Sequence, residues 1–283
     1  MHVQGALLGD YLRARRSSTS PESVGIRVEP GRRVPGLRRE EVARLAGISQ
    51  EYYLRLEQGR DRQPSDQVLR ALGNAMRLDR DGVEHMRRLV VLQHARAPRS
   101  RVRGAGWGDG LRNLLQQWGT TPAYIRSATQ DVVMANHLAE ALSPEALRVG
   151  SNIVLTLFSD NVDRTDPDWA AAAARIVASL RYDCDPRDPR LQQIVTALET
   201  DADFVTLWDR HEVRASHVEV VRLPVGRLRG LELQSQTLLV PGDGDLALVV
   251  YHAAAGSSAD GVIRSVGSAA TTCSDDCVER IVV

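Results

Sequence analysis

"REEVARLAGISQEYYLRLEQGR", Arg39 to Arg60, holds two short helical patterns, one glycine between them, and two tyrosines side by side. Its spacing predicts helices over roughly 37–46 and 49–58. Ala43 is small where a partner helix would cross closely, and four residues later Gly47 can take the positive φ that a tight turn demands. Val42, Ala46, Ile48, Tyr53 and Leu56 fall on the inward side of that register. Ser49 is placed to cap the second helix and Gly59 to close it.

Apolar spacing, small residue, glycine and caps agree on one unit, a helix-turn-helix whose second helix enters a DNA major groove. The register separates the two tyrosines. Adjacent helix positions lie about 100° apart, so Tyr53 joins Leu56 in the core while Tyr52 lies nearer the rim. Ser49, Gln50, Glu51, Arg55 and Gln58 face outward. Gln can pair with adenine, Arg with guanine, and Glu can accept from cytosine, so Gln50, Glu51 and Arg55 are the base-reading candidates. Ser49, Tyr52 and Gln58 form the rim of that surface, and Arg32, Arg33, Arg38, Arg39, Arg60 and Arg62 flank it as phosphate contacts.

Outward from this unit, residues 6–16 predict a helix with Leu7, Leu8, Tyr11 and Leu12 on one face, and the Ser-, Pro- and Gly-rich 17–36 reads as loop. Ser65 can cap a helix over 66–77, and Asp81, with Glu84 three residues on, opens another. That makes five helices in residues 1–95, followed by an Arg-, Pro- and Gly-rich linker over 96–106.

Charge divides the chain the same way. Residues 1–103 carry 21 Arg against 12 acidic residues, and 104–283 carry 15 against 24, so the net charge of zero conceals a basic first segment and an acidic remainder. The first suits a polyanion partner; the second does not. Lysine is absent, so arginine is the only strong cation available and is not by itself a sign of recognition. With 43% hydrophobic and 25% charged residues the composition is that of a soluble globular protein. No apolar run approaches the ~20 residues of a membrane span. The start lacks signal-peptide features, which predicts a cytoplasmic protein, and three cysteines, Cys184, Cys273 and Cys277, do not make a disulfide framework.

Residues 107–255 predict an α+β domain. "PAYIRSA" and "DVVMAN" are strand candidates, as are "HVEVVRLP", "RLRGLELQSQTLLVP" and "LALVVYHAA", with "PGDGD" as a turn between the last two. Between the groups, Ser143-Pro144, Asp166-Pro167 and Asp188-Pro189 each pair a capping side chain with Pro at a first helical position. The order β-β, helices, β-β-β gives an antiparallel sheet rather than a βαβ repeat. The Ser/Ala/Asp-rich 256–283 reads as a loosely ordered tail.

The first 90 residues, above all "GLRREEVA", "YYLRLEQGRDRQPS" and "VLRALGNAM", resemble the N-terminal module of MmyB-like regulators of actinobacteria, of the XRE type, with a λ-repressor-like five-helix fold. "TPAYIRSATQDVVMAN", "PDWAAAAARIVASLR", "DPRLQQIVTALE" and "DFVTLWDRHEVR" resemble the PAS-like ligand-binding domain that follows it in that family. The resemblance implies a transcription regulator that binds a double-stranded operator and senses a small apolar ligand such as a fatty acid; one reading helix makes few base contacts, which predicts a homodimer, and no nucleotide-binding fingerprint calls for a cofactor. One departure is Ala135 before Asn136, where relatives commonly carry Trp; that change would enlarge or reshape a pocket.

Tyr124, Met134, Trp169, Trp208, His211 and Arg214 combine aromatic bulk with polar handles and are the pocket candidates. "DRHEVR" admits a catalytic reading with His211 as base and Asp209 or Glu212 as partner, but no nucleophile motif accompanies it, and a salt-bridge clasp is the simpler account. Cys273 and Cys277 would share a helix face, which admits a thiol redox sensor; no second ligand pair makes them a zinc site. Alternatives therefore stay open in which the second domain only dimerises, senses redox state, or is an enzyme anchored to DNA.

Overall fold

The computed structural model describes residues 7–28, 31–61, 63–95, 107–222, 229–240 and 246–278. The chain forms two compact units, Met1–Arg99 with Val177–Ala215, and Ser100–Ile176 with Ser216–Val283. The expected linker over 96–106, the "PGDGD" turn and Arg62 lie outside the described residues.

In the first unit, α1 (Leu7–Ser18), α2 (Arg39–Ala46), α3 (Gln50–Glu57), α4 (Asp66–Ala75) and α5 (Arg80–His94) make the five-helix bundle that the sequence predicts. A short 3-10 turn, Glu22–Val24, interrupts the loop between α1 and α2. Tyr11, Leu12, Leu37, Val42, Tyr53, Leu56, Leu72, Met86 and Leu89 fill one core. Ser65 caps α4 by accepting from the Val68 amide. The cap of α5 is Asp79, which accepts from Gly82, rather than Asp81. Asp81 lies two residues too late to cap, and its carboxylate instead accepts from the Ala215 amide at 2.9 Å.

Two further helices belong to this unit, α10 (Pro189–Ala197) and α11 (Ala202–Asp209). Asp188 caps α10 ahead of Pro189, as the Asp-Pro signal predicts. Between the units in sequence runs α9 (Trp169–Asp183), whose first residues belong to the second unit and whose last belong to the first. The Asp166 side chain accepts from the Asp168 amide just before α9, so the second Asp-Pro signal also marks a helix start. Ser143-Pro144 does not. Ser143 is instead the C-cap of α7 (His137–Leu142), with its amide on the Ala139 carbonyl, so Pro144 follows a helix end rather than opening a new one.

The second unit is built on a five-stranded antiparallel sheet of β1 (Ala123–Ser127), β2 (Val132–Ala135), β3 (Val218–Arg222), β4 (Glu232–Leu239) and β5 (Leu246–His252) in the order β2-β1-β5-β4-β3. All five expected strands are present. Tyr124 pairs with Ala135 and Val249, and Tyr251 with Ser235, so these residues share a face with Leu233 and Val221. That face packs on α7 and on α12 (Ser258–Val278) through Leu138, Leu142, Ala259, Ile263 and Val266. The opposite face carries Ala123, Ile125 and Leu248 against Leu115 of α6 (Trp107–Gln117).

The expected loose tail is therefore a helix over most of its length. Ser257 accepts from the Asp260 amide, Asp260 accepts from Gly256 and pairs with Arg264, and Ala259, Ile263 and Val266 make an i, i+4, i+7 stripe. The small, polar composition hides that stripe. A last short helix, α8 (Ile153–Leu157), begins at Asn152, whose side chain accepts from Val154 and Leu155.

Candidate nucleic-acid interface and effector site

Each feature of the turn does what its residue type allows. Ser49 accepts from the Tyr52 amide and starts α3. Gly47 has φ 67°, in the left-handed region that residues with a Cβ seldom enter, and its amide closes α2 on Ala43 and Arg44. Gly59, at φ 66°, carries the chain out of α3.

α3 is pinned from below. Its Tyr53, Leu56 and Glu57 are buried, an i, i+3, i+4 stripe that ends on a carboxylate. Glu57 takes Arg16 Nε at 2.6 Å on one oxygen and Arg39 Nε at 2.6 Å on the other, linking α1, α2 and α3. Burial alone would raise the Glu57 carboxyl, but the hydrogen bonds from Arg16 and Arg39 outweigh it and hold the group below the usual carboxylate range. A second lock sits at the start of α2. Arg32 forks onto Glu41 at 2.7 and 2.6 Å, and Glu41 also accepts from the Arg38 amide. The hydrogen bonds from Arg32 depress the Glu41 carboxyl.

With Tyr53 and Glu57 inward, α3 turns the other side outward. Ser49, Gln50, Glu51, Arg55 and Gln58 are all exposed. Arg55 Nη1 lies 3.7 Å from Glu51, and its guanidinium sits 5.6 Å from the Tyr52 ring centroid. Tyr52 is half-buried, one side of its ring packed on the core cluster. Desolvation raises its phenol, so it stays a neutral donor at physiological pH.

The flanking arginines divide. Arg33, Arg38 and Arg60 are exposed. Arg39 is half-exposed while engaged with Glu57. Arg32 is a strut rather than a free cation: its side chain is only 8% exposed and fully occupied by Glu41 and the Val34 and Gly36 carbonyls. Sequence reasoning did not single out Glu57, Arg16 or Glu41. The available signal was an acidic residue on the buried stripe of an amphipathic helix, which calls for a cationic partner.

Trp208, His211 and Arg214 belong to the first unit, and Tyr124, Met134 and Trp169 to the second. Within the second, Met134 pairs with Ile125 and so lies on the sheet face opposite Tyr124. Trp169 is core: its Nε1 donates to the Leu157 carbonyl at 3.0 Å and Phe158 meets it edge-on. Residue type identifies a plausible lining side chain but not its face or its unit.

The inner face does carry a polar pair in an apolar layer. The Tyr124 and Tyr251 hydroxyls lie 3.2 Å apart, both side chains buried. Ala135 stands beside Tyr124 on that face. Asn136 has a different role: it accepts from Ala123 and Ala139 and donates to the Trp118 and Thr121 carbonyls, fixing β1, α7 and the preceding loop together.

His211 does not have the partners a base would use. Its Nδ1 lies 3.2 Å from Arg181 Nη1, a donor, so the nitrogen accepts and the ring is neutral. Burial and then the Arg181 charge push its pKa down to about 3. Among the described residues no group of three or more His, Cys, Asp or Glu is placed to hold a metal ion, and no helix is long and apolar enough to cross a membrane.

Two family models match the chain. Residues 7–86 match a helix-turn-helix domain, and residues 108–264 match the MmyB-like transcription regulator ligand binding domain. No curated protein matches.

Proposed function

From the premise that the chain belongs to the MmyB-like transcription regulators, with a helix-turn-helix domain and a ligand-binding domain, we propose that it reads a specific operator with α3 and answers to a small apolar effector such as a fatty acid. The observation that carries the first half is the division of α3. Tyr53, Leu56 and Glu57 hold it to the bundle, and Gln50, Glu51 and Arg55 stand together in solvent, where a base edge can meet them. Ser49, Tyr52 and Gln58 border this surface, and Arg33, Arg38, Arg39 and Arg60 supply phosphate contacts around it.

One α3 makes few base contacts. Two copies related by a two-fold axis, one helical turn apart on the duplex, give the length of site that specificity requires, and this supports a homodimer. The effector belongs in the layer between the inner sheet face and α7 and α12, with the Tyr124 and Tyr251 hydroxyls as its polar handles beside Ala135. It changes operator affinity only by its differential affinity for the two states of the protein.

Selection of bound duplexes from fragmented genomic DNA tests the reading. An enriched palindromic site is the expected result; uniform recovery of all fragments contradicts it. Mass spectrometry of the natively purified chain tests the effector: an apolar molecule released on denaturation is expected from wild type, and less of it from Ala135→Trp. Equal amounts from both would remove the effector from this face.

A further inference from the structure

The helices of Val177–Ala215 fall within the stretch matched by the ligand-binding family model, yet they pack in one unit with the DNA-binding bundle. The contacts come from both bundle helices nearest them. Arg88 of α5 donates to the last carbonyls of α9, those of Tyr182 and Asp183, where a cation is favoured by the helix dipole. Asp81 accepts from the Ala215 amide, Arg187 donates to the Ala95 carbonyl at 3.0 Å, and Arg15 of α1 to the Arg210 carbonyl at 3.2 Å. Val213 packs on the bundle core.

Within the docked segment, Arg181 ties the end of α9 to Trp208 and His211 at the end of α11. Its guanidinium lies 3.8 Å from the Trp208 ring centroid and donates to the Trp208 carbonyl and to His211 Nδ1. Its Nε is fully shielded and makes no hydrogen bond. His211 adopts φ 50°, a left-handed conformation uncommon for a residue with a side chain, and so turns its ring onto Arg181. On the bundle side, Tyr11 and His85 are buried edge-to-face at 5.0 Å, and Tyr182 of α9 lies 6.1 Å from His85. Desolvation lowers Arg181 to about 10 and His85 to about 3, so one cation is held among neutral rings.

A desolvated cation satisfied by a carbonyl and a ring nitrogen is a poor device for stability, since apolar side chains of similar size would fill the site at lower cost. It is a good device for fixing one docked arrangement that can be released. We propose that Arg181 and Arg88 form an intramolecular latch: Arg181 locks the end of α9 to α11 as one docking face, and Arg88 ties that face to α5, so that the effector-domain segment 177–215 and the DNA-binding bundle move as one body. Its consequence for DNA rests on the operator-reading function above. A change along α9 then reaches the bundle through Arg181 and Arg88, and not only through the chain between α5 and α6.

Hydrogen exchange on the full chain tests this without DNA, so failure of the latch and failure of operator reading are separable. Arg181→Lys keeps the charge but loses the planar stack and fork; Arg181→Met loses both. Either substitution should accelerate exchange at least ten-fold over 80–94 and 203–212 while 39–57 exchanges as in wild type. Arg88→Gln should do the same, and the Arg181→Lys/Arg88→Gln double variant should exchange no faster than the faster single variant, because both remove one docking event. Wild-type exchange over 80–94 in Arg181→Lys, or fully additive effects in the double variant, would overturn the latch. With the duplex pool selected by wild type, the undocked variants should change affinity at least three-fold; unchanged affinity with accelerated exchange would overturn the coupling to DNA.

Discussion

Arg39 Nε donates to Glu57 across 2.6 Å, and this bond joins the first helix of the turn to the second. With Arg16 on the other carboxylate oxygen, Glu57 is an anion buried between two cations, and α3 cannot tilt without breaking one pair. Glu57→Gln leaves Arg16 shielded and uncompensated. We expect a loss of about 2–4 kcal/mol in urea denaturation, set below the upper range for buried pairs because Arg39 is half-exposed. A loss within experimental error would mean that the carboxylate is not what holds α3.

Close approach of α1 to α3 makes a second, sterically based prediction. A Cβ on Gly9 would lie 2.3 Å from the Glu57 carbonyl oxygen, which is backbone and cannot swing aside. Gly9→Ala should cost about 1–3 kcal/mol, against the usual gain from replacing a helical glycine, and should loosen α3 first. Denaturation midpoints together with exchange over 50–57 would reveal it; a stabilised variant would contradict the packing.

Much of this was legible from residue spacing. Gly47, Ser49 and Ser65 act as their types predict because turns and caps are local, decided within four residues. All five strands were readable because alternation is local too. What was not legible is what depends on distant partners. Arg32 looks like any other exposed arginine in sequence, and only Glu41 nine residues away makes it a strut. Met134 and Tyr124 are both apolar strand residues, and only the register puts them on opposite faces. The grouping of Val177–Ala215 with the bundle is of the same kind.

Acid should act through His85. Its folded pKa, about 3, lies below the ordinary 6.5, because burial disfavours the cation and the Arg181 and Arg88 charges add to that. Tyr11 and Tyr182 pack against its ring. The unfolded chain therefore binds the extra proton between these values. The stability is complete above about pH 6.5 and is lost as pH falls toward 3, at no more than about 1.4 kcal/mol per pH unit for this group. His85→Phe should flatten that part of the profile in denaturation from pH 7 to 4; an unchanged slope would show that His85 is not responsible.

Arg32 and Arg33 are adjacent and should behave oppositely. Arg32→Ala removes the fork on Glu41 and should lower the denaturation midpoint, with DNA binding falling only as folding does. Arg33→Ala leaves the fold unchanged, should weaken binding to every duplex alike, and should reduce the slope of log affinity against log salt by about one. Titrations at several salt concentrations separate the two.

If the exposed side of α3 reads bases, Arg55 is the side chain whose loss shows it. Affinities of wild type and Arg55→Ala are measured for the selected operator and for a scrambled duplex of equal length in the same salt. A loss of about 1–3 kcal/mol on the operator, with the scrambled duplex nearly unaffected, is the expected result. Equal losses on both duplexes would contradict it.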